Sequence, residues 1–406
     1  MEIIVQKYGG TSVNDEKGRE FIIRRAIDLK NKGKKPVIVV SAMGRKGDPY
    51  ATDSLLSIIN KENLDASNRD LDMLMACGEI ITTTYISSML NSAGCKAVAF
   101  TGLQAGILTD SNFGNADVLT VDTNRLMEYL EDDYIVVVAG FQGYDEKYNV
   151  TTLGRGGSDT TAALLGEALK ADEIEIYTDV DGVMTADPRV IEDAKLIDAI
   201  SYDEIYQLSK NGAKVVAHKA VEIAKRSGRA LRIKNTFKYE GEGTLICNEN
   251  KCYEIIGRES DRLFNAITKI DGISKWEIFF NEDLDKELEF LDGLRKREIS
   301  IDMINFFESK KIFTIKDEDI SKLKKLCDEL ALQYDILSNC SKITLIGHQI
   351  HGVPGVMSKI AITLAKDGVK ILQTSDSYNM IACLVKEDDG IKAIKSLHKE
   401  FNLAQS

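Results

Sequence analysis

Short aliphatic and β-branched runs alternate with longer amphipathic stretches along the first part of the chain. The runs fall at residues 3–7, 37–41, 97–101, 134–139 and 174–178, and each gives way to Gly, Ser, Thr or Asp. Between them lie stretches such as GREFIIRRAIDLKNKG and DTTAALLGEALKA, which read as helices. Such alternation predicts an α/β fold: a mainly parallel sheet sandwiched by helices on both faces. Ligands of such sheets bind beyond the carboxyl ends of the strands, and the Gly- and Ser-rich breaks lie at those ends. The regular pattern ends at KYEGEGT, near residue 240.

Residues 263–406 have a different texture. REISIDMINFFESKKIFTI (297–315) echoes DGVKILQTSDSYNMIACLV (367–385): a helix end, a strand, a turn, a second strand. A charged amphipathic helix follows each, DEDISKLKKLCDEL and EDDGIKAIKSLHKEF. The repetition predicts two copies of a small α+β unit. The expected organisation is a domain over 1–240, a linker over 241–262, and two units over 263–338 and 339–406.

Composition narrows the function classes. Of 406 residues, 44% are hydrophobic and 29% charged, as in a soluble globular protein of two or three domains. A formal net charge of −12 argues against nucleic acid as the main partner, which needs a basic face. A small anion in a local basic pocket stays open. PVIVVSAM and YIVVVAGF fall far short of a membrane span, and the first residues lack the flank and core of a signal peptide. No membrane contact and a cytoplasmic location are expected. The 7 cysteines form no C-x-x-C, and Cys247 and Cys252, the nearest pair, lack further metal ligands. Free thiols in a reducing compartment are expected. His348 and His351 are the one close histidine pair and have no third ligand, so no metal site is expected.

Three Gly-rich breaks carry the candidate chemistry. Lys7 stands before Gly9 and Gly10, where glycines let a phosphate approach the backbone and a lysine delivers a compact charge; a plain turn fits the same residues. In TTLGRGGSDTTAALLGEAL, Gly154, Gly156 and Gly157 precede Ser158-Asp159 at a helix start, which suits an anion, and Arg155 adds a fork that matches a carboxylate. A capped helix beside a solvated arginine reads equally well. In IYTDVDGVMTADPR the aspartates suit a Mg-nucleotide or ordinary turns, and turns are commoner. Lys214, beside Gly212, reads by itself as a helix-surface residue. No G-x-x-x-x-G-K-[ST], no G-x-G-x-x-G after the first strand, no protein-kinase signature and no G-x-S-x-G elbow is present.

Taken in order, KYGGTSV, SAMG, CGE, GFQG, TTLGRGGSDTTAALLGEAL, YTDVDGV, TADPR and GAKVV closely resemble aspartate kinase (aspartokinase) of the amino acid kinase family, and the resemblance covers the whole chain. It implies ATP and Mg²⁺ as cofactors, L-aspartate as acceptor, 4-phospho-L-aspartate as product, and entry to lysine/diaminopimelate, threonine and methionine biosynthesis. Lys7, Gly9 and Gly10 would meet the phosphates, Thr178 and Asp179 would lie by the ribose and adenine, Met184 would contact the base, and Tyr8, Arg189 and Lys214 would reach the nucleotide. Arg155 would take the α-carboxylate and Glu79 the α-ammonium of aspartate; Ser41, Thr52, Phe141 and Ser158 would line the same pocket. Asp159 would order the lysine and the loop. RKGDPYA, between SAMG and TDSLL, makes that loop longer than in some relatives.

The two C-terminal units resemble tandem ferredoxin-like ACT domains, which sense amino acids. In the second, backbone around His351, Val353, Gly355 and Val356 would take an effector carboxylate, and Gln373, Ser375 and Asp376 its amino groups. Lysine is the first expectation for the effector, with diaminopimelate or threonine as alternatives. ACT units usually pair across subunits, implying a homodimer or homotetramer. A glutamate kinase-like carboxylate kinase and a catalytically silent amino-acid sensor are the competing readings.

Overall fold

The first strand, β1 (Ile3–Tyr8), is buried along almost its whole length, as expected of a strand covered on both faces. The computed structural model describes residues 1–61, 64–213, 215–256, 263–348, 350 and 352–404. After β1 come α1 (Gly10–Asn14) and α2 (Glu16–Asn31), the latter capped by Asp15, whose carboxylate accepts from the Gly18 N–H at 3.1 Å. The chain continues through β2 (Lys35–Val40), α3 (Thr52–Asn60), α4 (Asn68–Ser92), β3 (Ala97–Phe100), β4 (Ile107–Thr109), β5 (Val118–Val121) and α5 (Asn124–Glu131). Next are β6 (Ile135–Ala139), β7 (Gln142–Tyr144), β8 (Val150–Thr152), α6 (Gly157–Ala168), β9 (Glu173–Thr178), β10 (Ala199–Ser201) and α7 (Tyr202–Lys210). Then follow α8 (His218–Ser227), β11 (Leu231–Asn235), β12 (Thr244–Cys247) and α9 (Glu249–Ile256).

The chain divides into two units: Met1–Val183 with Leu196–Ser209 and Lys214–Ser260, and Met184–Lys195 with Lys210–Ala213 and Asp261–Ser406. In the first, an eight-stranded sheet runs in the order β10-β12-β11-β9-β1-β2-β6-β3, parallel except where β12 meets β11. The five expected strands and both expected helices are there as β1, β2, β3, β6, β9, α2 and α6. The sheet does not stop at 240, however. β12 pairs on both sides and α9 follows it, so 241–262 is not a plain linker. A second sheet, β5-β4-β7-β8, went unpredicted because its strands of three or four residues are too short to show a period.

One core of this unit lies under α2 and α4, where Tyr8, Ile22, Ile38, Ile86, Val137 and Tyr177 are fully or nearly fully buried. Each such side chain contributes about 1.5–3 kcal/mol relative to an exposed one. Tyr8 and Tyr177 stack with centroids 4.7 Å apart. Helix α6 is buried on nearly every side because its residues are small; a Cβ at Gly166 would strike the Ile174 side chain at 2.4 Å. Helix α4 is long and apolar enough to cross a membrane by length and composition alone, but it carries buried Asp72 and Glu79.

The second unit repeats one sequence of elements twice: β13 (Ala266–Phe279), α10 (Leu284–Lys296), β14 (Asp302–Phe306), β15 (Lys310–Lys316), α11 (Ile320–Glu329), then β16 (Gln333–Ile346), α12 (Val356–Lys366), β17 (Gln373–Ser377), β18 (Met380–Lys386) and α13 (Gly390–Glu400). A short 3₁₀ turn opens the last helix of each copy. The strands form one antiparallel sheet, β14-β15-β13-β16-β18-β17. β13 and β16 are 14 residues each and pair along their whole length, with register shifts around Ile273. Beyond the shift, β15 takes 273–279 of β13, and β18 takes 340–346 of β16. Each long strand therefore serves both copies, and the expected border at 338/339 falls inside β16.

Candidate active site

Strands β9, β1, β2 and β6 are neighbours in the sheet, so the loops at their carboxyl ends lie side by side. Strand alternation turns Lys7 and Tyr8 to opposite faces. Tyr8, expected among the nucleotide contacts, therefore has its ring wholly in the core. Lys7 reaches the first turn of α6, where its Nζ lies 2.7 Å from Asp159 Oδ1, with the two side chains 13% and 12% exposed. Asp159 Oδ2 accepts from the Ala217 N–H at 3.1 Å. The lysine is thereby fixed at the mouth of the sheet. The glycines beside it are there for space: a Cβ on Gly10 would come within 2.8 Å of the Ala42 and Gly44 carbonyls, and the Gly44 N–H donates to the Gly10 carbonyl at 3.1 Å.

On the β2–β6 side the centre is Glu79. It is 2% exposed; its Oε1 accepts from the Ala42 N–H at 3.0 Å, and its Oε2 is buried with no partner among the described residues. Burial holds the carboxyl up at about 8, against the opposing pull of the Ala42 N–H. The preceding Gly78 explains the CGE segment. A Cβ there would meet Ala42 Cβ at 2.7 Å and the Tyr50 carbonyl at 2.8 Å, so only glycine lets α4 come close enough for Glu79 to reach Ala42. Ser41 donates to Ser158 (Oγ–Oγ 2.9 Å), and a Cβ on Gly140 would collide with Ser158. Phe141 has φ +70°, a costly backbone state for a bulky residue, pinned by Thr161 Oγ1 accepting from its N–H at 3.0 Å and by its own carbonyl accepting from Leu153. Thr52 starts α3. Arg155 is exposed in the glycine loop and pairs with no described residue.

Asp72 escaped the sequence reading. Wholly buried, it accepts from the Gly114 N–H (2.9 Å), the Thr152 N–H (2.7 Å) and Thr152 Oγ1 (2.8 Å), and so anchors the strand that feeds the Arg155 loop. Its signal was the seven-residue spacing from Glu79 on one face of an apolar helix.

On the β9 side, Thr178 and Asp179 end the strand, and the Thr178 carbonyl accepts from the Thr236 N–H at 2.9 Å. Thr236 Oγ1 and Ser12 Oγ lie 2.6 Å apart, joining the residue after β11 to α1. Asp179 is paired with Arg45 at 2.7 Å. Met184 and Arg189 lie in the 184–195 segment of the second unit, where Arg189 forms a bidentate pair with Asp187. Lys214 lies outside the described residues.

In the second unit a cavity of about 210 Å³ is lined by Gly352, Val353, Val356, Ser375, Asp376 and their neighbours. Gly355 caps α12 in a left-handed conformation. Gln373 is not in this lining: its amide donates to the Met303 carbonyl and to Asn305 Oδ1, tying β17 to β14. His351 lies outside the described residues. A larger surface groove of about 720 Å³ between α2 and α4 holds none of the expected site residues.

Known proteins resemble this arrangement over its full length. The model for the amino acid kinase family matches residues 2–235 and an ACT domain model matches residues 336–399. Aspartokinase 1 of Bacillus subtilis (strain 168) is 40% identical over 406 residues, with 100% of both chains covered. Aspartokinase 2 of that organism is 38% identical over 415 residues, covering 100% of this chain and 99% of its own. The crystal structure of E. coli aspartokinase III in complex with aspartate and ADP (R-state) superposes with a TM-score of 0.77 at 25% identity, covering 98% of this chain and 99% of that one. The same enzyme in complex with lysine and aspartate (T-state) gives 0.74 at 25% identity, covering 99% and 100%.

Proposed function

This chain belongs to the aspartokinase branch of the amino acid kinase family, and from that premise we propose that it transfers the γ-phosphoryl group of ATP to the β-carboxylate of L-aspartate, giving 4-phospho-L-aspartate and ADP. One observation carries the reading. The carboxyl end of a single sheet presents a lysine fixed by an aspartate on one side, and on the other a buried carboxylate with one oxygen bonded, together with an arginine that pairs with no described residue. The first suits a phosphate; the second suits the two charged ends of an α-amino acid.

The chemistry asks little beyond placement. An aspartate side chain, with a pKa of about 3.9, is already ionised at neutral pH and needs no general base. Catalysis then consists of holding it in line with the γ-phosphorus and offsetting charge on the transferring group. Glu79 and Arg155 orient the amino acid; Lys7 and the amides of the Gly9–Gly10 loop meet the phosphates. Among the described residues no three His, Cys, Asp or Glu side chains cluster as a metal cage, so Mg²⁺ is expected to arrive on the triphosphate and keep its phosphate and water oxygens.

The direct test is ADP release with MgATP and L-aspartate beside L-glutamate. Turnover dependent on aspartate supports the reading, and turnover with glutamate alone sinks it. Arg155→Ala should raise the aspartate KM about 10–100-fold, the scale of losing a charge-assisted hydrogen bond. An unchanged KM would move the α-carboxylate elsewhere.

We also propose that the cavity of the second unit takes an end-product amino acid, lysine first, with diaminopimelate and threonine as the alternatives, making this the regulated entry to lysine, threonine and methionine synthesis in the cytoplasm. Asp376 offers the acidic side chain for a distal ammonium. Asp376→Ala should leave basal turnover near normal while raising the lysine concentration for half-inhibition at least tenfold, since an ammonium would lose its charged partner. Undiminished inhibition would place the effector elsewhere. Exposed Ile304 and Phe306 in edge strand β14, with Phe307 just beyond it, support pairing of these units between copies, as a homodimer or homotetramer.

A further inference from the structure

Arg45 belongs to the RKGDPYA stretch, to which the resemblance assigns no role. Its guanidinium Nη2 donates to Asp179 Oδ2 at 2.7 Å, across 134 residues of chain. The topology makes this pair informative. Arg45 lies in the loop after β2 and Asp179 in the loop after β9, and these two strands flank β1 in the sheet. The pair therefore passes over the carboxyl end of β1, where Lys7, Gly9 and Gly10 stand.

The backbone that carries Arg45 is held there. The Gly44 N–H donates to the Gly10 carbonyl at 3.1 Å. Gly44 has φ +90°, and a Cβ on it would strike Asp48 at 2.4 Å. Asp48 closes the turn by accepting from the Arg45 N–H at 2.7 Å and donating its own N–H to the Arg45 carbonyl at 2.9 Å. The side chain that leaves this rigid turn is 72% exposed. Of the five guanidinium N–H donors, only Nη2 has a partner; Nε and Nη1 have none among the described residues. An exposed ion pair is too weak to justify such a fixed turn by itself. A planar fork with spare donors above a glycine loop matches phosphate oxygens.

We infer that Arg45 is a catalytic residue that donates hydrogen bonds to the terminal phosphate of the nucleotide, with Asp179 orienting its guanidinium from the other side of β1. The inference rests on the phosphotransfer reading above. Lys7 is already shared with Asp159, and the group in transfer carries charge on three equatorial oxygens. A second cation reaching it from across the strand offsets charge that Lys7 alone does not.

The test compares nucleotide affinities and rates in the full chain. Kd values for ATP, ADP and AMP are measured calorimetrically for the wild type, Arg45→Ala and Arg45→Lys, together with kcat and the aspartate KM. Arg45→Ala should weaken ATP about tenfold and ADP and AMP less than about threefold, and lower kcat by ~10²-fold with the aspartate KM nearly unchanged. Arg45→Lys should recover part of the rate, since it restores the charge without the fork. Equal weakening of all three nucleotides would overturn the inference by confining Arg45 to the nucleoside end, and no change in any would reduce the pair to a solvated surface contact. Arg45→Gln, with an unchanged melting temperature required, guards against loop collapse in the alanine variant. Wild-type turnover in the same series judges the phosphotransfer reading separately: an active wild type with an indifferent Arg45 refutes only the residue's role.

Discussion

Lys7→Ala is expected to lower kcat by on the order of 10²–10³-fold, the scale of deleting a preorganised donor at a site of developing charge. The melting temperature should stay close to wild type. Lys7 contributes little to the core: its ammonium stands at the sheet's mouth, paired with Asp159 at 2.7 Å, while the apolar faces of β1 are packed by its neighbours. The substitution also strands Asp159 next to incoming phosphates, adding repulsion to the lost attraction. Asp159→Asn separates the two effects. It leaves Lys7 charged but unfixed, so it should cost less in kcat than Lys7→Ala and more than a surface substitution. The measurement is a rate at saturating MgATP and aspartate alongside thermal unfolding. Near-normal turnover in Lys7→Ala would remove it from the mechanism, and a large loss of melting temperature would recast it as structural.

The central strands of the first unit were legible because buried parallel strands must be apolar on both faces, and IIV, VIVV and IVVVA stand out against charged helices. The glycines of the site were legible for a related reason. Gly10, Gly140 and Gly157 each sit where a Cβ would collide with a neighbouring loop. What stayed hidden depends on partners distant in sequence. Asp72 shows only its spacing from Glu79 until Thr152, 80 positions on, supplies its donors. Arg45 reads as part of a longer loop until Asp179 is brought across β1. The shared strands of the second unit were hidden because strand sharing leaves the repeat in the sequence unchanged and alters only which residues pair. Met184 and Arg189, adjacent in sequence to the β9 loop, fall with the second unit because Ala186 and Ile191 share one buried core with Phe264, Val356 and Leu397.

Glu79 has the second large effect, and it carries a pH signature. A carboxyl held at about 8 by burial is mostly protonated in the free enzyme at neutral pH. An α-ammonium needs the carboxylate, so binding aspartate must expel that proton below pH 8. The expected result is that kcat/KM for aspartate rises about tenfold per pH unit up to about 8 and then levels, while kcat at saturation varies much less. Glu79→Gln should flatten this profile and lower kcat/KM by about 10²–10³-fold at pH 8.5, the scale of leaving one member of a buried ion pair alone. Stability should move the other way. A carboxyl whose folded pKa lies above its unfolded value, 4.5, contributes stability in full below that value and loses it as pH rises through about 8. Above pH 8 the wild type therefore carries an uncompensated buried charge, and Glu79→Gln should melt at a higher temperature there. Added aspartate should narrow the gap by stabilising the wild type alone. A gain in stability with a loss of activity is what a residue kept for binding rather than folding predicts. A pH-independent kcat/KM in the wild type, or a Glu79→Gln variant that is both less stable and equally active, would make Glu79 a structural partner of the Ala42 amide and nothing more.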